Sequence, residues 1–190
     1  VRILYYYWDE FNGEDCMDAM KRLGHQVDVL KLKLESYDLT PQVDEKFRFL
    51  LTKEEDCKRY YDIVYSFDYY PCISDACSKY ETPYVSWVFD CPHYTLDSHT
   101  ITNPENRVFV FDKERCNEMR DKGVNTVQYS PLGVNEKRLS EFCKKLDAET
   151  DGKIFYQHDV CLLGNLYANE YNFYDQVQNL PPDLKEYIRS

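Results

Sequence analysis

The stretch "PYVSWVFD", residues 83–90, governs the reading of the whole chain. It is almost continuously apolar and ends in an aspartate. A strand that is apolar on both faces belongs in a parallel sheet covered by helices on each side. Its neighbours fit that reading. "DIVYSF" (62–67) and "RVFVFD" (107–112) are strands of the same kind, and "TVQYSPLGVN" (126–135) is a strand and turn. Ile73, Ala76, Cys77 and Tyr80 recur at helical spacing between the first two. "KERCNEMRDKG" (113–123) is a helix stopped by Gly123. Toward the N-terminus, Val43, Phe47, Leu50 and Leu51 mark a helix opened by Thr40-Pro41. "QVDVLKLKL" is a strand whose alternating lysines suit a sheet margin. Cys16, Met17, Ala19, Met20 and Leu23 form another helical stripe, ended by Gly24, and "RILYYYW" is the first strand.

Strands alternating with helices imply right-handed crossovers and a parallel sheet. The expected fold class is α/β: a Rossmann-like three-layer sandwich with a mostly parallel sheet over residues 1–145. Leu139, Phe142, Cys143 and Leu146 supply its last helical stripe. Residues 146–159, "LDAETDGKIFYQHD", read as a linker. Residues 160–190 read as the incomplete start of a second α/β domain, with a strand over 160–164.

Composition narrows the function. The chain has 190 residues, 18 tyrosines and a net charge of −11, which disfavours broad nucleic-acid or anionic-membrane binding. It has no apolar run long enough to span a membrane and no signal-peptide pattern at its start. None of the eight cysteines forms Cys-x-x-Cys. Most are therefore expected to be reduced, buried small hydrophobes in a cytoplasmic protein.

A dinucleotide site needs a glycine-rich turn after the first strand, whereas "YWDEFNGEDC" holds one glycine among acids that repel phosphate. Neither NAD nor FAD is expected in this chain, and no cofactor of its own. Asp90, Cys91, His93, Asp97 and His99 are metal-ligand types, but no spacing among them matches a recurrent motif, so no metal is expected. A Cys91–His93 nucleophile pair lacks a visible oxyanion hole. What remains is topological. Ligands of open parallel sheets bind beyond the carboxyl ends of the strands. "WDEFNG", "DYYPC", "DCPHYTLDSH" and "FDKE" all follow strands and meet at that edge. They bring Trp8, Asp9, Asn12, Tyr69, Tyr70, Tyr94 and Asp112 to a surface suited to sugars. Aromatic faces stack on sugar rings, and carboxylates accept hydroxyl hydrogen bonds. Asp90 and Asp112 are equally suited to cap the turns that follow them.

"GHQVDVL", "YVSWVFDCPHYTLDS", "VFVFDKERCNEMRDKGV", "YSPLGVN" and "DVCLLGNLY" occur in an order that resembles a known family. It is the N-terminal domain preceding the glycosyltransferase group 1 domain of CgeB-like (spore maturation protein B-like) bacterial proteins. The resemblance implies a GT-B architecture, with two Rossmann-like domains facing across a cleft. This chain would supply the acceptor side, binding a sugar or glycan. The donor domain, which would bind a nucleotide-sugar, would be missing beyond its first strand, with Gly164 starting its phosphate loop. The resemblance also places His93, or alternatively Asp90, near the reaction centre as a catalytic residue. Alone, such a chain is expected to be inactive, and the orphan strand 160–164 offers a route to self-association. Two other readings stay open: a non-catalytic glycan- or protein-binding module, and a flavodoxin-like or response-regulator-like signalling domain.

Overall fold

The computed structural model describes residues 1–52, 60–153 and 158–161. The elements run β1 (Arg2–Tyr6), α1 (Gly13–Arg22), β2 (Gln26–Leu30), α2 (Pro41–Leu51), β3 (Ile63–Phe67), α3 (Pro71–Lys79) and β4 (Tyr84–Val88). Two short 3-10 turns follow, then β5 (Asn106–Val110), α4 (Lys113–Asp121), β6 (Val127–Tyr129) and α5 (Glu136–Thr150). All five strand pairings are parallel, in the order β2-β1-β3-β4-β5-β6. The Rossmann-like α/β sandwich expected from the sequence is therefore the fold of residues 1–143. The chain divides into two units after Cys143.

Side chains of a strand alternate between faces, and β1 shows why its run is apolar throughout. Leu4 and Tyr6 enter a large core with Phe47 and Leu51 of α2, Ile73 and Ala76 of α3, and Met119 of α4. Ile3 and Tyr5 enter a smaller core on the opposite face, with Tyr65, Phe67 and the α1 residues Cys16, Met17 and Met20. Each fully buried side chain of this size stabilises the fold by roughly 1.5–3 kcal/mol. Thr40 caps α2 by accepting the Val43 N–H, with Pro41 at the first turn. Gly24 and Gly123, at φ 83° and 85°, end α1 and α4 in the left-handed conformation that glycine adopts most easily.

The structure departs from the sequence reading in five places. Leu23 lies past the end of α1 and is exposed, because the helix stops one residue earlier. β2 ends at Leu30, so the lysines of "KLKL" belong to the loop after an edge strand. α5 continues to Thr150, so the first part of the expected linker is helical. Of the cysteines, Cys72, Cys77 and Cys116 are buried, but Cys91, Cys143 and Cys161 are exposed. Val160 and Cys161 are exposed and carry no strand. Gly164 and the rest of the expected 160–164 strand lie outside the described residues. Among the described residues no helix is long and apolar enough to cross a membrane.

Candidate functional site

Strand order reverses between β1 and β3, because the first crossover leads to β2 on one side and every later one leads the other way. In such sheets the carboxyl edge at the reversal opens a crevice. Along the same carboxyl edge three strands end in the same dipeptide: Phe67-Asp68 closing β3, Phe89-Asp90 after β4 and Phe111-Asp112 after β5.

Asp68 is the most constrained of the three. Its φ of 56° lies in the left-handed region, which Asp tolerates better than most residues. Surrounding groups hold it there. Its N–H extends the ladder to the Trp87 carbonyl at 3.0 Å. Its own carbonyl accepts the Ser66 hydroxyl at 2.7 Å and the Ser86 hydroxyl at 2.9 Å. Behind Ser66 stands Tyr84, whose hydroxyl lies 2.6 Å from Ser66 Oγ and accepts the Tyr70 N–H at 3.1 Å. Burial of Ser66, Tyr84 and Ser86 makes each of these bonds costly to lose.

The Asp68 carboxylate is buried and accepts the Phe89 N–H at 3.2 Å. Burial pushes its carboxyl group above the usual range, while the nearby His93 and that N–H pull it down. His93 reaches it from the loop after β4, with Nδ1 4.0 Å from Asp68 Oδ1. His93 Nε2 accepts the Tyr69 N–H at 3.2 Å, which puts the proton of a neutral ring on Nδ1, toward Asp68. Donor atoms of Asp68, Asp90 and His93 all fall within 4.8 Å of one another. Of the three side chains only Asp90 is exposed.

Two clefts flank this cluster. The first, of about 630 Å³, lies over the ends of β1 and β2, lined by Tyr6, Tyr7, Trp8, Tyr37 and Tyr70 and by Asp9, Lys31 and Lys33. Lys31 pairs with Asp9 at 3.0 Å and lies 4.7 Å above the Tyr7 ring. Trp8 Nε1 donates to the Phe67 carbonyl at 3.3 Å, and the Trp8 ring stacks on Phe89. Burial pushes the Tyr6 phenol up to about 12, so it stays a hydrogen-bond donor at neutral pH. The second cleft, of about 590 Å³, is lined by Cys91, His93, Tyr94, Asp97, Asp112 and Arg115, among others. There the Asp112 Oδ1 accepts the Arg115 N–H at 3.0 Å and caps α4, while Oδ2 accepts the Cys91 thiol at 3.1 Å. Those two bonds hold the Asp112 carboxyl group below its usual range, and the Asp112 hydrogen bond pushes the Cys91 thiol up, against thiolate formation.

Most sequence-selected residues thus reach the edge, but they divide. Trp8, Asp9 and Tyr70 line the first cleft, and His93, Tyr94 and Asp112 line the second. Asp112 is committed to its cap. Tyr69 is a correction: it is fully buried, and its hydroxyl bonds Thr100 and Asn106, so it supports the core and offers no ligand surface. Asn12 lines neither cleft; it precedes α1, with its Oδ1 buried. Sequence reasoning passed over Asp68 and Lys31 and read Glu10 only as one of the acids of the first turn. Glu10 is buried and holds the β1 turn by accepting the Tyr5 hydroxyl at 2.7 Å and the Trp8 N–H at 3.0 Å. The recurring Phe-Asp at three strand ends was the signal that could have found Asp68. No family model, curated protein or solved structure was found to match this chain.

Proposed function

We propose that this chain is the acceptor-side domain of a GT-B glycosyltransferase, of the kind its motifs resemble. The observation that carries the reading is that an aromatic cleft over the ends of β1 and β2 and a carboxylate–imidazole cluster after β3 and β4 share the carboxyl edge of the sheet. Tyr37, Tyr70 and Trp8 offer ring faces for a sugar, and Asp9, Lys31 and Lys33 offer hydrogen-bonding groups around it. In an inverting reaction a base takes the proton of the acceptor hydroxyl. Asp90 is the carboxylate open to that hydroxyl. His93, whose Nε2 already accepts a backbone N–H, lies behind it. A nucleotide-sugar would be supplied by a donor domain.

The test is a panel of nucleotide sugars presented to a parent protein carrying both domains. Donor hydrolysis or transfer is expected, with Asp90→Asn reducing turnover by roughly two orders of magnitude. A panel with no turnover and no rise in melting temperature sinks the transferase reading. One observation favours a second reading, a glycan-binding module without catalysis: both His93 nitrogens face protein groups. In that case saccharides bind the first cleft, Trp8→Ala abolishes binding, and Asp90→Asn leaves it unchanged.

A further inference from the structure

Asp68, Asp90 and His93 bring two carboxylates and one imidazole together at the ends of β3 and β4. The Asp68 side chain is only 5 % exposed, and its ion-pair neighbour is an imidazole at 4.0 Å. Among the described residues, no lysine or arginine is recorded within ion-pair distance of Asp68 or Asp90. A buried carboxyl group so placed is neutralised by a proton, by the imidazole or by a bound cation, and the three side chains together offer the donors for the last.

The geometry points to a divalent transition-metal site formed by Asp68, Asp90 and His93. With ligand bonds of about 2.0–2.2 Å, two donors of one ion lie at most roughly 4.4 Å apart and usually nearer about 3–3.6 Å. These three fall within 4.8 Å, with His93 Nδ1 and Asp68 Oδ1 4.0 Å apart, so a side-chain rotation of the exposed Asp90 is what closes the set on an ion. Two of the three positions are fixed before any ion arrives. Asp68 is held through its carbonyl by two serine hydroxyls, and the His93 ring is largely buried against the Tyr69 backbone, so ion binding exchanges its bond from the Tyr69 N–H for one to the Tyr69 carbonyl. An ion on Nδ1 moves the ring proton to Nε2, which lies 3.4 Å from the Tyr69 carbonyl oxygen. A ligating histidine is commonly supported by such an outer N–H to carbonyl contact.

The donor set is two oxygens and one nitrogen. The nearest thiol, Cys91, is turned to Asp112. That set suits manganese or zinc better than calcium, which takes more oxygens, or copper(I), which prefers sulfur. With Asp90 exposed, the remaining coordination positions face solvent. An oxygen of an incoming ligand would enter there. The site is tested apart from the transferase reading, by a binding measurement; with an ion bound, Asp90 is its ligand in place of the base role given it above.

The experiment strips the whole 190-residue chain with a chelator and titrates it with manganese(II), following free ion by its electron paramagnetic resonance signal. The expected result is saturation at one ion per chain, displacement by zinc, and nitrogen coupling from one imidazole in the pulsed spectrum. Asp90→Asn is expected to weaken binding by about tenfold or more. Asp18→Asn, at an exposed α1 carboxylate paired with Arg22, binds like the unchanged chain. Asp90 is exposed, so its replacement leaves the fold intact, and circular dichroism verifies this. Non-saturable binding, bound manganese without nitrogen coupling, or Asp90→Asn binding as tightly as the unchanged chain overturns the proposal.

Discussion

Gly13 shows how one residue fixes a whole turn. A Cβ there would lie 2.5 Å from Glu10 Oε1 and 2.6 Å from Tyr7 Cε2. Both neighbours are constrained, since Glu10 is buried and holds Tyr5 and Trp8. In the sequence this glycine stood alone in a turn too acidic to cradle a phosphate. In the structure it makes room for a buried carboxylate at the start of α1. Alanine normally gains about 1 kcal/mol over glycine inside a helix. Here overpacking wins: Gly13→Ala is expected to destabilise the protein by roughly 1–3 kcal/mol in urea unfolding. An unchanged or raised midpoint would show that Glu10 can move aside without cost.

At the scale of elements, α3 and the loop after β4 are locked to β5 through Asn106. Its side-chain amide donates to the Thr100 carbonyl at 2.8 Å, the Ile101 carbonyl at 3.2 Å and the Tyr69 hydroxyl at 3.2 Å, and it accepts the Ser74 hydroxyl at 2.9 Å. Ser74 belongs to α3 and Thr100 to the turn that follows the His93 loop. Asn106→Ala strands several buried polar groups at once. The expected loss is at least about 2 kcal/mol, read from the denaturant midpoint at unchanged slope. Because this network anchors Tyr69, whose backbone holds His93, the variant should also weaken manganese binding. A destabilised variant with unaltered binding would separate the core network from the site.

For the molecule as a whole, stability depends on pH through ties between elements. Asp44 of α2 bonds Lys79 of α3 at 2.7 Å and accepts the Tyr80 hydroxyl at 2.7 Å. The Lys79 bond, then the Tyr80 bond, hold its carboxyl group below the usual value. A carboxyl group depressed in the folded state stabilises above its unfolded pKa of about 3.9, and that contribution is lost as pH falls through the lower folded value. Lys79, raised by the same bond, contributes below its unfolded value of about 10.4 and loses that contribution at more alkaline pH. The difference in urea midpoint between the protein and Asp44→Asn should therefore be constant at neutral pH and close below about pH 4. A gap that persists in strong acid would assign the tie to packing, with charge playing no part.

The sequence alone determined the layers. Continuous apolar strands such as Tyr84–Val88, set between helical stripes, admit a parallel sheet covered on both faces, because alternating side chains must all be buried. It also fixed which loops reach the carboxyl edge, since chain direction sets that in any parallel sheet. Tertiary structure decided the rest. Tyr69 and Tyr70 are adjacent, and only the packing sends one into the core and the other into a cleft. Asp68 and His93 are far apart in the chain, and only the β3–β4 pairing brings a buried carboxylate under an imidazole. Local residue types specify elements through short-range periodicity, whereas a site is assembled by contacts between strand ends that local periodicity does not encode.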